Sequence, residues 1–585
     1  VPAATEAVLR GQRALWRLET LMPDEIRGAL DAESPMLSHL LYCRGYRTLP
    51  RIRAFFAQGI VSHDPFLLPD MEASVQRILA AQTRGEVVAV YGDFDCDGIT
   101  SAAALIETLT GLGLNPIAHI PTRDDGHGLH PEALASLRDR GVTLIVTADC
   151  GVNAIEEVRV ARGMGMDVVV TDHHQARVDG SLPDCPTVDP TRHDSTYPFP
   201  SLCGAGVVYK LAQALALRTP RAPDPEALLD LVALGTVADV VPLRDENRSL
   251  VMQGLERLKR TQRPGLLALF AAASVDQRRI DPVGLSFYLA PRINAANRMA
   301  TPQLAYDLLT AGDPAVAAGL AAQLSEYNRQ RQVLVTEKFA GVVERLGDPA
   351  DLAQRVATGT QPPVLVVIGE WPAGISGLLA SKLVDTYGLP AFVGAEVASN
   401  IISVSARGVP GVHIDEMLEA CESALAGGLF LGHGGHARAG GFRIEAAKSE
   451  TARSLLEEQA RDQLGSDLVG AVLAIDAELP LRKLTLASAQ AIRSLAPFGM
   501  EFAEPLFLSR GVALQRISAF AANRHARLRL RQGAAWMDGI CFNTHPALLQ
   551  LPLETQLDVV YHFQINEFNG TLKPEMTVRD WRVAA

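Results

Sequence analysis

Val87-Val88-Ala89-Val90-Tyr91-Gly92-Asp93-Phe94-Asp95-Cys96-Asp97-Gly98 joins an apolar run to a loop of alternating carboxylates. The run reads as a buried strand, and crowding acids on the tight loop behind it is costly unless a cation sits among them. Two more Val-rich runs end in the same manner: TLIVTADCG (143–151) at Asp149, and DVVVTDHH (167–174) at Asp172-His173-His174. Helical stretches separate the three runs, which predicts a parallel sheet with its ligands at the C-terminal ends of the strands. A fourth acid, Asp239, stands in the apolar stretch LLDLVALGTVADVVPL (228–243), where a helix cap is the plain alternative.

An oxygen-dominated set with one or two imidazoles suits magnesium or manganese better than zinc, which favours Cys and His. About five carboxylates nearly balance two divalent cations, so two ions, Mn2+ or Mg2+, are expected, and such a pair is suited to phosphoester hydrolysis. Taken alone, the 93–98 loop could equally be a calcium site.

The surrounding chain has 585 residues, of which 48% are apolar. At roughly 100–200 residues per domain this predicts about three to five domains. Seven scattered cysteines with no CxxC pair predict reduced thiols and a cytoplasmic protein. No signal-like N-terminus or bilayer-length apolar run is found, so no membrane role is expected. The net charge of −12 argues against a lysine-coated nucleic-acid binder, but allows a nuclease whose basic residues are gathered in one groove.

Residues 1 to 85 read as mostly helical, with Arg44, Arg47, Arg51 and Arg53 as a basic cluster or simply a solvated surface. Residues 252–345 read as helical, carrying RINAANR (292–298) and a polar helix through Glu326–Arg331 that suits an interdomain connector. A second α/β region starts near Pro363 and includes a Gly-rich loop, 432–441, with His433, His436 and Arg438 embedded in it. Such a loop suits an anionic ligand, or is only a turn. After Asp467 short strands predict a small β-barrel, in which Arg527, Arg529 and Arg531 alternate with Leu528 and Leu530. One face of that strand is then basic and the other apolar, a polyanion-binding face or an ordinary exposed one.

The ordered motifs VYGDFDCDGITS, TADCG, DHH, GTVADVVPL and GGHARAGGF resemble those of the DHH phosphoesterases. RINAA-x-R, Ser405-x-Arg407 and the C-terminal barrel are similar to the branch of that family that degrades single-stranded DNA, and the likeness runs from about residue 40 to the C-terminus. The resemblance implies a multidomain α/β protein: a helical N-terminal segment (1–60), a parallel-sheet DHH catalytic domain (61–255), a helical connector (256–345), a DHHA1-type α/β substrate domain (346–466) and an OB-fold (467–585). It implies a 5′-to-3′ exonuclease that releases 5′-mononucleotides in DNA repair and recombination.

Carried position by position, the resemblance makes Asp93, Asp95, Asp149, His173 and Asp239 the metal ligands, with Asp149 as bridge and Asp97 as a further candidate. Many family members have a His where this chain has Tyr91, and which of the three loop acids bind is left open. His174 would face the scissile phosphate, and Arg123, Arg298, Ser405, Arg407 and His436 would contact substrate phosphates. Arg suits that task through its bidentate fork. Two positions depart from the pattern: Pro372 stands where Trp371 is usually followed by His, and Glu501-Phe502 where Gly-Asn is usual. A single-strand-binding protein and a helicase are expected partners, and a monomer is the expected state. Two other readings are a phosphodiesterase for short oligonucleotides or cyclic dinucleotides, and an inactive scaffold that binds single strands during replication. The first needs no barrel, and the second is expected to have lost metal ligands.

Overall fold

The computed structural model describes residues 8–584, apart from 13, 29–34, 58, 124, 178, 426–427, 465–471 and 569. The expected boundary between 466 and 467 therefore lies outside the described residues. The chain forms two compact units: Ala57–Gln332 with Pro497–Ala503, and the residues up to Phe56 with Val333–Ala496 and Glu504–Ala585.

The first unit is built on β1 (Val88–Tyr91), β2 (Ile117–His119), β3 (Leu144–Thr147), β4 (Asp167–Thr171) and β5 (Thr187–Val188), in the order β2-β1-β3-β4-β5. Every pairing is parallel. Strands β1 and β3 are buried along their whole length, which is why they read as unbroken Val, Ile and Leu runs rather than alternating ones. Because β1 has β2 on one side and β3 on the other, the strand order reverses there, and open α/β sheets bind ligands outside the strand ends at that point. Tyr91, the last residue of β1, is fully buried in the sheet core.

Helices α1 (Cys96–Gly111), α2 (Gly204–Arg218) and α3 (Leu229–Ala238) cover the sheet and are mostly buried themselves. Helix α4 (Ala290–Met299) carries the RINAANR segment, and the polar stretch Glu326–Arg331 lies within the 33-residue helix α5 (Pro314–Leu346).

In the second unit, β6 (Leu365–Ile368) runs parallel to β7 (Ala391–Ala398), and β8 (Ile401–Arg407) lies antiparallel to β7. The Gly-rich stretch expected to be a loop is an edge hairpin instead, β9 (Gly432–His436) with β10 (Ala439–Glu445), the latter paired to β8. Glycine is needed where the strands crowd: a Cβ on Gly441 would stand 2.7 Å from the Val404 carbonyl oxygen.

Strands β11 (Leu506–Phe520), β12 (His525–Gln532), β13 (Ala535–Cys541), β14 (Gln556–Phe568) and β15 (Thr571–Val583) close into a barrel through the β11–β14 pairing. The N-terminal segment expected to be helical opens with two strands, Val8–Arg10 and Leu15–Leu18, before its helices begin. They pair in one sheet with Val472–Ile475, and Trp16, fully buried, donates a 2.9 Å hydrogen bond to Asp580. Burial against the barrel outweighs the local pattern that suggested helix. Arg44 is likewise no solvated surface charge but is buried against Asp476 through two hydrogen bonds. Among the described residues, no helix is long and apolar enough to cross a membrane.

Candidate metal centre

The loop after β1 turns directly into α1, with Asp95 as the N-cap: its Oδ1 accepts from the amides of Asp97 (2.9 Å) and Gly98 (3.1 Å). Asp97 is held from the far side, where the first amides of α2, Gly204 and Ala205, donate to its two carboxylate oxygens at 2.7 and 3.0 Å. Close approach forces small residues around the acids. A Cβ on Gly98 would stand 2.5 Å from the Asp93 Cβ, and one on Gly204 2.5 Å from the Asp149 Cβ. Asp149 itself sits at φ 67°, a left-handed conformation that a non-glycine residue adopts only under constraint. Asp239 ends α3 as its C-cap, so it is a cap as well as a member of the site, and Val240 behind it is held at φ 62°.

The ligand-type atoms fall into overlapping groups, in each of which all lie within 4.8 Å of one another: Asp93, Asp95 and Asp149; Asp97, His173 and Asp239; and Asp149, His173 and His174. Asp149 Oδ1 is 3.0 Å from His173 Nε2 and so stands between the first two groups. All three loop acids are thus brought to the site, Asp93 and Asp95 on one side and Asp97 on the other.

Asp93, Asp97 and Asp149 are each less than 5% exposed. Burial, then the neighbouring acids, pushes the carboxyls of Asp149 and Asp239 well above the usual range, and burial and Asp95 push Asp97 up to about 7. Like charges so crowded hold protons unless cations replace them. An oxygen-rich set with one imidazole and four or more acids is chemically suited to two hard divalent ions, so the residues present fit the expected pair.

Asp172, first residue of the DHH triplet, takes a different part. Its Oδ2 accepts from Val152 N at 2.9 Å, while its Oδ1 accepts from His173 N and lies 2.7 Å from His174 Nδ1. Burial alone would raise this carboxyl, yet the charge and hydrogen bond of His174 hold it well below the usual range. In return, against the penalty of burial, Asp172 pushes His174 up to about 10.

Several residues outside the ligand groups position the loop. Asn294 Oδ1 accepts from Cys96 N at 3.0 Å, and Asn297 Nδ2 donates to the Phe94 carbonyl at 2.8 Å. Three residues apart on α4, they share one helix face and grip the 93–97 loop from outside. Arg123 stacks over the Phe94 ring (4.8 Å) and donates to Asn297 at 3.4 Å. The segment Pro497–Ala503 is packed on the loop behind Asp239: Leu243 N donates to the Met500 carbonyl, Arg248 covers the Phe502 ring at 4.8 Å, and Arg244 pairs with Glu501. The unusual Glu501-Phe502 pair thus makes contacts of its own. Trp371 Nε1, before Pro372, donates to Ser376 Oγ at 3.2 Å.

In the second unit, β8, β10 and β9 set Arg407 opposite Ala439, which faces His436, while Ser405 is opposite Gly441. Register thus places Ser405, Arg407 and His436 on one sheet. On β12, Leu528 and Leu530 are buried while Arg527, Arg529 and Arg531 are exposed. Two of these arginines are already paired, Arg529 with Asp538 (2.8 Å) and Arg531 with Glu554 (3.1 Å), and Arg527 and Arg529 lie over the rings of Phe520 and Trp536.

Comparison with known proteins finds three family matches along the chain. Residues 87–236 match the DHH family N-terminal domain, 361–462 the DHHA1 domain, and 475–580 the RecJ OB domain. The single-stranded-DNA-specific exonuclease RecJ of Bacillus subtilis is 33% identical over 97% of this chain and 71% of its own length. The Escherichia coli protein of that name is 32% identical over 92% of this chain and 95% of its own. The crystal structure of Thermus thermophilus RecJ in complex with Mn2+ superposes with a TM-score of 0.81 at 26% identity, covering 97% of this chain and 80% of that one. The chain belongs to the RecJ family of single-stranded-DNA-specific exonucleases.

Proposed function

We propose that this chain is a metal-dependent exodeoxyribonuclease that hydrolyses single-stranded DNA from the 5′ end and releases 5′-mononucleotides. The observation that carries the reading is the pair of ligand groups, Asp93/Asp95/Asp149 and Asp97/His173/Asp239, with Asp149 between them at the ends of β1 and β3. The ions are Mn2+ or Mg2+, which, when bound, lower the pKa of water and hold the phosphoryl oxygens. Polarity, product and a role in repair and recombination are proposed from the resemblance alone.

The chain's own residues have separate tasks in this reading. His174, kept charged by Asp172, directs its Nε2 at an oxygen of the scissile phosphate and stabilises the charge that builds there. Arg123 and Arg298 grip phosphates in the first unit; Ser405, Arg407 and His436 do so in the second. Aromatic rings under Arg527 and Arg529 add a surface on which unpaired bases stack without sequence choice. A single-strand-binding protein and a helicase are the partners proposed from resemblance, and a monomer is the proposed state.

Digestion of end-labelled single- and double-stranded DNA with Mn2+ or Mg2+ tests the reading. Mononucleotides released from a labelled 5′ end of single strands alone are expected. Release from the 3′ end, or faster turnover of a dinucleotide than of a long strand, overturns it.

A further inference from the structure

One imidazole stands at the acidic site without belonging to any of the motifs. His127 lies in the loop between β2 and the helix Pro131–Asp139, and its Nδ1 is 3.1 Å from Asp93 Oδ1. Its ring meets that of His174 edge-on, with centroids 4.6 Å apart. The His127 side chain is 43% exposed and that of Asp93 6%, so the imidazole stands on the solvent side of the carboxylate it binds.

The loop is shaped to put it there. Gly126 and Gly128, on either side of His127, have φ values of 97° and 96°, which side-chain-bearing residues rarely adopt. His130 Nε2 is hydrogen-bonded to the Gly126 carbonyl at 3.3 Å, and Asp125 closes the preceding turn by accepting from Thr122 N and Oγ1.

Asp93 needs such a partner more than its neighbours do. Backbone amides hold Asp95, Asp97 and Asp172, whereas among the described residues the side-chain hydrogen bond of Asp93 is made to His127. His127 thus contacts a member of the ligand groups without a nitrogen of its own in them.

We propose that His127 is a positioning residue of the nuclease site: it ties one oxygen of Asp93, so that the carboxylate is presented in one orientation to the cation of the Asp93/Asp95/Asp149 group. The inference rests on the two-cation reading above. Partners that orient metal ligands typically contribute about 10- to 100-fold in metal affinity.

The test is calorimetric titration of the metal-free full-length chain with Mn2+, comparing the parent with His127→Ala, His127→Asn and Asp149→Ala. His127→Ala is expected to weaken one class of Mn2+ site by about 10- to 100-fold and to leave the other unchanged. His127→Asn, whose amide can donate from the place of Nδ1, recovers most of the loss. At limiting Mn2+ the Ala variant loses kcat, at saturating Mn2+ it regains it, and KM for DNA stays constant. An unchanged Mn2+ isotherm for His127→Ala overturns the proposal, as does an Asn variant no better than Ala, or a raised KM with parent-like Mn2+ binding. If Asp149→Ala also retains both classes of site, the two-cation reading itself fails; if it loses them while His127→Ala does not, only the role of His127 fails. Thermal unfolding without Mn2+ checks that each variant folds.

Discussion

The acids around the ends of β1 and β3 and the arginines of β12 are both rows of like charge, but their surroundings treat them in opposite ways. Asp93, Asp97 and Asp149 are buried against one another, and burial with neighbouring acids pushes the carboxyls of Asp97 and Asp149 up. Arg527, Arg529 and Arg531 stand in solvent, two of them beside acids of neighbouring strands. Crowded buried charge is expensive and is kept only for a ligand that relieves it, whereas exposed charge costs little and contributes little per residue. Chemistry is therefore expected to collapse with single changes in the first region and to erode gradually in the second.

The largest effect is expected for Asp149→Ala. Metal-dependent cleavage should be abolished while single-stranded DNA still binds, as a gel-shift assay beside the digestion assay would register; residual full activity would break the contrast. Next comes Asp172→Asn, which keeps the shape but removes the charge that holds His174 protonated. A loss in kcat of about 10- to 100-fold is expected, comparable with other partners that orient site groups. The pH profile supplies the sharper readout. Asp172 holds the His174 imidazole above the ordinary histidine range, so the alkaline limb should move down towards that range in the variant. An unmoved limb would separate His174 from the chemistry.

A smaller effect concerns Asp189, fully buried beyond β5, which burial and the charge of Asp172 push up to about 8. A carboxyl raised in the folded state contributes stability at low pH that is lost as pH rises from about 4 to about 8. Asp189→Asn should remove that dependence and raise Tm at pH 8 relative to the parent by a few degrees, with little change near pH 4. Thermal unfolding at the two pH values decides it; equal shifts at both would mean the effect is packing rather than charge.

The smallest effects belong to the barrel. Arg527→Ala should lower the dependence of log affinity on log salt by about 0.7, the value for one phosphate contact on a single strand. Arg529→Ala and Arg531→Ala should lower it less, because Asp538 and Glu554 already share their charge. Equal slopes for all three would show that the ion pairs open when DNA binds.

The sheet was legible because each buried parallel strand writes itself as a short run of Val, Ile and Leu, and the acids follow those runs directly. The second α/β region and the barrel were legible in the same way, from alternation and turn residues. The N-terminal strands were not: a few residues without a strong pattern take their conformation from the sheet edge they join, and Trp16 is satisfied only by Asp580, far along the chain. The Gly-rich stretch also misled, since five glycines in ten residues suggest a loop unless a neighbouring strand lies close enough to require them.

The sequence by itself determined the chemistry of the site, because the acids, their positions after apolar runs and the DHH triplet are local and ordered. Only the tertiary structure decided how the set is divided and held: Asp93 and Asp95 on one side of Asp149 and Asp97 on the other, Asp172 behind His174, His127 behind Asp93, and Asn294 and Asn297 on the loop backbone. The physical reason is distance along the chain. A hydrogen bond between Cys96 and Asn294 spans 198 residues, and no local propensity or spacing records a contact that exists only once both helices are packed.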